Sequence, residues 1–119
     1  MKRTLVFGAS LKPNRYSYYA IERLVASGIE TRAFGIREGQ VSGVQVNNTL
    51  DGLEGIHTVT LYLNPSRQQE YYKAILALKP QRVIFNPGTE NSEFALMLEA
   101  KGVAAENSCT LVLLATNQY

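Results

Sequence analysis

The chain passes repeatedly from a short, apolar, β-prone run to a stretch with helical spacing, and few folds accept that rhythm. Arg3 to Phe7 is the first such run and stops at Gly8-Ala9-Ser10. A polar segment with Pro13 and Asn14 follows, and then Tyr18, Ile21, Leu24 and Val25 recur at helical spacing, with Gly28 just past the helix end. Further strands are expected over Ile29 to Phe34, His57 to Leu63 and Gln81 to Phe85, with a weaker one near Val103 to Glu106. Asn64-Pro65 starts a helix, Asn as its N-cap and Pro at the first helical position. Tyr71, Ile75 and Leu78 mark its inner face and Pro80 ends it. Asn91-Ser92-Glu93 opens another helix, with Phe94, Met97 and Leu98 inward and Gly102 closing it. The stretch from Gln40 to Gly55 is the least regular, and within it Val44-Gln45-Val46 reads as a short extended piece. Leu111 to Ala115 fits strand or helix, with Leu and Ala favouring helix.

Strands that alternate with helices pair in parallel through right-handed crossovers. The expected fold class is therefore α/β: a three-layer, doubly wound, mostly parallel five-stranded sheet of Rossmann-like form, with residues 1–119 as a single domain. Hydrophobic residues make up 45% of the chain and charged residues 18%, which excludes a disordered chain or a coiled coil. No apolar run reaches the length of a membrane span, and the opening run lacks a signal-peptide cleavage site. One cysteine, Cys109, cannot form an internal disulfide, which fits a reducing cytoplasm. A net charge of +2 with dispersed cations and no reading motif argues against nucleic acid, and a homodimer is left open.

An open sheet of this kind binds ligands where the strands end and their order reverses, so the residues after each strand carry the functional question. After the first strand, Gly8 permits a sharp turn, Ala9 follows, and Ser10, Ser17 and the amides opening the helix can donate to phosphate oxygens. Lys12 and Arg15 add two cations to the same loop. Only the first glycine of the Gly-x-Gly-x-x-Gly fingerprint is present. An NAD site also wants an acid closing the second strand, and that strand ends in Phe34-Gly35-Ile36-Arg37. Arg37 there suits a phosphorylated ribose, as in NADP or coenzyme A, and Phe34 or Ile36 can flank an adenine face. After the third strand, Leu63 offers an apolar wall beside Asn64, while Tyr62 reads as core or rim packing. After the fourth, Asn86-Pro87-Gly88-Thr89 offers amide and hydroxyl donors on a tight turn.

These strand-end motifs, in this order, resemble the CoA-binding domain family, small bacterial Rossmann-like proteins similar to the nucleotide-binding domain of the succinyl-CoA synthetase α subunit. The carriers are Gly8-Ala9-Ser10 with Asn14-Arg15-Tyr16-Ser17, Gly35 with Arg37, Tyr62-Leu63-Asn64-Pro65, and Asn86-Pro87-Gly88, followed by Cys109. The resemblance covers essentially the whole chain and implies coenzyme A as the bound small-molecule nucleotide. It implies phosphate contacts from Ser10, Arg15 and Tyr16, a place for the 3′-phosphoadenosine at Gly35 and Arg37, and a nucleotide border at Leu63 and Asn64. The family often has a proline-containing turn after its second strand, where this chain has Gly35-Ile36-Arg37.

The resemblance implies binding without implying catalysis. His57, the only histidine, is expected at the amino end of its strand, away from the site. No carboxylate pair, activated nucleophile or metal-ligand cluster can be read from the chain. The competing reading is an NADP-binding oxidoreductase or redox sensor, because Arg37 fits a 2′-phosphate equally well. Cys109 reads as a small buried hydrophobe, or else as a thiol that faces the crevice and exchanges with the thiol of coenzyme A.

Overall fold

Thr-Leu-Val-Phe at residues 4–7 is buried at every position, the pattern of a strand covered on both faces. This strand, β1 (Thr4–Phe7), is central in the computed structural model, which describes residues 2–119. It pairs in parallel with β2 (Thr31–Phe34) on one side and β5 (Thr58–Leu61) on the other. Beyond β5 the parallel strands β6 (Arg82–Phe85) and β7 (Ala104–Asn107) follow. Beyond β2 come β4 (Val44–Asn47), parallel to it, and β3 (Gly39–Val41), antiparallel to β4.

The sheet thus has seven strands in the order 3-4-2-1-5-6-7, where five were expected. The hairpin of β3 and β4 lies in the least regular stretch, and Val44-Gln45-Val46 is one of its arms. Its turn, Ser42-Gly43, has φ of 50° and 79°, the doubly left-handed turn that matches the twist of two paired strands. Because the chain runs from β1 one way to β2 and later the other way to β5, the order reverses between β1 and β5.

Alternation along the strands separates two cores. Leu5, Phe7, Val59, Leu61, Val83 and Phe85 point to one face, where Ile75, Phe94 and Leu98 cover them from α3 (Tyr72–Ala77) and α4 (Ser92–Ala100). Val6 and Ala33 point to the other, under Ile21 and Leu24 of α1 (Tyr16–Ala26). Val25, expected inward, is 39% exposed, since one residue past Leu24 lies about 100° round the helix. The last apolar run resolves as a helix, α5 (Thr110–Ala115), packed beside α1. The helix expected from Pro65 to Pro80 is interrupted: α2 (Pro65–Gln68) passes through a 3₁₀ turn at Gln69–Tyr71 before α3. That tightening sends adjacent tyrosines to different partners. Tyr71 meets Phe7 and Phe34 edge-on, and Tyr72 stacks on Phe94.

The strand register sets the height at which the loops emerge. Phe7 is level with Phe34 and Leu61, and Leu61 with Phe85, so β2, β1, β5 and β6 release their loops at one height.

Candidate functional site

At the reversal between β1 and β5, two loops leave in opposite directions and meet almost at van der Waals contact. Gly8 has φ of 92°, and a Cβ there would lie 2.9 Å from Leu63 Cδ2. Gly35, at the exit of β2, is constrained more severely. A Cβ at this position would come within 2.2 Å of the Ala9 carbonyl oxygen, so the backbones of two loops touch where only glycine fits.

The first loop is held by its own hydrogen bonds. Gly8 N and Ala9 N both donate to Phe34 O, at 2.9 and 2.8 Å. Ser10 N donates to Ser17 Oγ at 3.0 Å, and Lys12 N to Ser10 Oγ at 3.1 Å. Ser17 is buried, so its oxygen fastens the loop while its hydroxyl hydrogen stays free to donate. The amides of Gly8, Ala9 and Ser10 are therefore occupied, and the donors left for an anion are those of the first turn of α1. That helix begins without a cap: Arg15, at the N-cap position, makes no side-chain bond to it, and its first turn contains no acidic residue. Such an end is electropositive and short of acceptors.

Over these loops lies a crevice of about 950 Å³. Its walls include Gly8, Ala9, Ser10, Lys12, Arg15, Tyr16 and Ser17 from the first loop, Gly35, Ile36 and Arg37 from the second, and Leu63 and Asn64 after β5. Twelve of the thirteen residues singled out from the sequence thus share one cavity. Tyr16 and Ile36 present exposed apolar surface at its rim, at 73% and 68%. Phe34 and Tyr71, ring centroids 5.5 Å apart, give it an aromatic wall.

Asn86 is the exception, and the expectation for it is corrected. It is buried beneath the walls, with Nδ2 donating to Thr60 Oγ1 at 2.7 Å and Leu61 O at 2.9 Å, and Oδ1 accepting from Thr110 N at 2.9 Å. Its side chain bridges β5 to the start of α5 and has nothing left to offer a ligand. Cys109, read as a small buried hydrophobe or else as a thiol facing the crevice, lies outside its walls, half-buried at the head of α5. It follows β7, the edge strand one place beyond the last strand whose loop reaches the cavity. Tyr62, read as packing, does line the crevice, and burial pushes its hydroxyl pKa up to about 12.

Two contributors escaped the sequence reading. Arg67, in the first turn of α2, adds a fourth cation to the walls. Asn64 fixes that turn, its Oδ1 accepting from Arg67 N at 3.1 Å, and a cation three residues past a predicted N-cap is a signal the sequence does carry. Gln68 is fully buried and ties two loops together, Nε2 donating to Leu63 O and Thr89 O, both at 2.8 Å, while Oε1 accepts from Asn91 at 3.0 Å. Among the described residues no salt bridge involves Lys12, Arg15, Arg37 or Arg67. His57 stands at the opposite end of the sheet, just before β5, as expected.

Comparison with known proteins agrees with the fold. No curated protein matches the chain. Among solved structures, one described only as an uncharacterized protein shares 46% identity over 100% of this chain and 98% of its own, with a TM-score of 0.96. The Thermus thermophilus protein called cell-free ID.343 aligns over 99% of this chain and 90% of its own at 21% identity, TM-score 0.88. A hypothetical protein from Pyrococcus horikoshii OT3 aligns over 93% and 80% at 24% identity, TM-score 0.85. The two distant structures speak for the fold alone, and among the described residues no helix is long and apolar enough to cross a membrane. The family model described as a CoA binding domain matches residues 2–115, nearly the whole chain, and the chain belongs to that family.

Proposed function

We propose that this protein binds coenzyme A or an acyl-CoA in the crevice at the carboxyl ends of β2, β1, β5 and β6, and that it does so without catalysing a reaction. The observation that carries the reading is the gathering of four cations, none of them in an ion pair among the described residues, around one cavity and one uncapped helix. A ligand with a pyrophosphate and a further ribose phosphate is the natural complement of such a set. In this reading the amides opening α1, with Arg15 and Lys12, take the pyrophosphate. Arg37 takes the ribose phosphate, while Ile36, Phe34 and Tyr71 supply apolar surface for the base. Family membership supports a coenzyme A-related role.

Isothermal calorimetry against coenzyme A and dephospho-CoA tests the proposal. The expected result is tighter binding of coenzyme A by about tenfold, the weight of one charge-assisted hydrogen bond to phosphate. Equal affinities would remove the role given to Arg37, and no heat with either ligand would sink the proposal. NADP is the competitor that Arg37 also fits. A thermal shift larger with NADP than with coenzyme A would transfer the site to that cofactor.

A further inference from the structure

The two loops that carry Lys12, Arg15 and Arg37 meet twice. At the inner end Gly35 abuts the Ala9 carbonyl, and Gly35 N donates to Asn47 O of β4 at 2.9 Å. The outer contact joins Leu11 of the first loop to Gly39, the first residue of β3. A Cβ at Gly39 would stand 2.8 Å from Leu11 Cδ1, 2.9 Å from Cδ2 and 3.4 Å from Cγ, so the leucine end fills the space the glycine leaves. Seven of the nine glycines have positive φ. The two that do not, Gly35 and Gly39, are the two that receive the first loop. At Gly39, then, it is close approach by another segment, and not backbone conformation, that calls for the missing side chain.

Between these contacts the second loop is only Ile36, Arg37 and Glu38, all exposed, so its course is set by its two ends. The first loop is similarly bare, with Leu11 half-buried and Lys12, Pro13, Asn14 and Arg15 exposed. Its hydrogen bonds there are internal, Lys12 N to Ser10 Oγ and Arg15 N to Lys12 O at 3.1 Å each, and shape the loop without tying it to the sheet. Leu11, which lines the crevice and packs against the core under α1, makes that tie. We infer that Leu11 is a positioning residue: seated on Gly39, it sets the separation of Arg37 from Lys12 and Arg15, and with it the spacing of phosphates that the crevice prefers. The inference rests on the coenzyme A reading of the crevice and deepens it. A ligand with phosphates at both loops depends on that spacing, whereas one held at the first loop alone does not. The β3–β4 hairpin thereby serves the site although none of its residues lines the crevice.

The test is calorimetry with coenzyme A and dephospho-CoA on the wild-type protein and three variants. Gly39→Ala forces Leu11 off its seat and is expected to weaken coenzyme A about tenfold, the weight of one charge-assisted contact, and dephospho-CoA by no more than about twofold. Leu11→Ala empties the seat from the other side and should erase the preference for coenzyme A in the same way. Because it adds no atom to β3, it decides the matter even if Gly39→Ala does not fold. Leu11→Val combined with Gly39→Ala moves one carbon across the contact at conserved volume and should restore the preference. A purely structural role would weaken both ligands alike. A folded Gly39→Ala or Leu11→Ala protein that keeps the wild-type preference, or a preference lost and not restored by the combined change, overturns the role of Leu11 and leaves the coenzyme A site intact. Wild-type protein that binds the two ligands equally overturns the role of Arg37 and that of Leu11 together, and binding of neither overturns the coenzyme A reading as well.

Discussion

The two ends of the sheet use the same residue types to opposite effect. At the amino ends the arginines are answered. Arg32 reaches Glu30 at 2.9 Å, Arg3 pairs with the same carboxylate, and Arg82 donates to Thr58 Oγ1 at 2.8 Å and to the backbone oxygen of Tyr119 at 3.0 Å. Arg82 also lies over the Tyr119 ring, 4.4 Å from its centroid, and faces Glu106 at 3.6 Å. At the carboxyl ends Lys12, Arg15, Arg37 and Arg67 border one cavity, and no such pair is found for them among the described residues. Like charges left together repel, so this end gives the free protein nothing and makes sense as a site for something absent from it. The amino end is where cations stabilise the fold.

That contrast breaks most decisively under paired substitution. Arg15→Ala with Arg37→Ala removes the two phosphate contacts proposed for these side chains and should lower coenzyme A affinity about 100-fold, roughly tenfold for each charge-assisted bond. The melting temperature should hold or rise slightly, because repulsion is relieved. Arg82→Ala should do the reverse, with unchanged affinity and a loss of about 1–2 kcal/mol of stability from the broken hydrogen bonds. Chemical denaturation and calorimetry on the same samples read both quantities. If Arg15→Ala/Arg37→Ala destabilises the protein as Arg82→Ala does, the carboxyl end is structural too and the contrast is lost.

Gly35→Ala sharpens the comparison by striking the frame under the cations instead of the cations themselves. The added methyl would overlap the Ala9 carbonyl oxygen, a backbone atom that cannot swing aside as a side chain does. Overpacking of this sort costs about 1–3 kcal/mol. The first loop must shift, so affinity should fall together with stability, a coupled loss that neither Arg82→Ala nor the paired cation variant produces. Wild-type affinity in a destabilised Gly35→Ala protein would show that the ligand does not depend on the contact between these loops.

How much of the molecule was legible in its sequence depends on the reach of each physical signal. Local patterns found β1, β2, β5, β6 and β7, because apolar runs bounded by turn residues are written in consecutive positions. They also placed the loops around the crevice, since a parallel sheet fixes where its strands end. Of the β3–β4 hairpin only the Val44-Gln45-Val46 arm was read, although Ser42-Gly43 between Val41 and Val44 signals the turn. Its strands are too short for alternation to stand out. Asn86 was misjudged because a turn asparagine facing a ligand and one turned inward to Thr60 and Thr110 look identical in sequence. Its partners lie more than twenty residues away and appear only after folding. Tyr71 was assigned to the core alone although it also lines the crevice, and Arg67 and Gln68 were passed over because the first turn of that helix was read for its cap and not for what it carries to the rim.

The smallest expected effect lies at the amino end and concerns pH. Burial, and after it the nearby charges of Arg82 and Lys2, hold the His57 pKa below its usual 6.5. Nδ1 lies 2.7 Å from Thr58 Oγ1, which already accepts from Arg82, leaving the threonine hydrogen free to point at a neutral ring. The unfolded chain therefore takes up a proton near 6.5 while the folded protein resists it until lower pH. Stability is full above 6.5 and declines as pH falls from there through the folded value. Glu30 loses its contribution in a separate, more acid window, since hydrogen bonding from Arg3 holds its carboxyl below 4.5. His57→Gln should abolish the first decline and leave the second. With the ring half-exposed to screening solvent, the difference should stay under about 1 kcal/mol. Coenzyme A affinity should follow one pH profile in both proteins, because the phosphates of the ligand titrate in the same range whichever residue stands at the far end. A change in that profile on replacing His57 would mean that the two ends communicate through the sheet, and the separation drawn between them would fail.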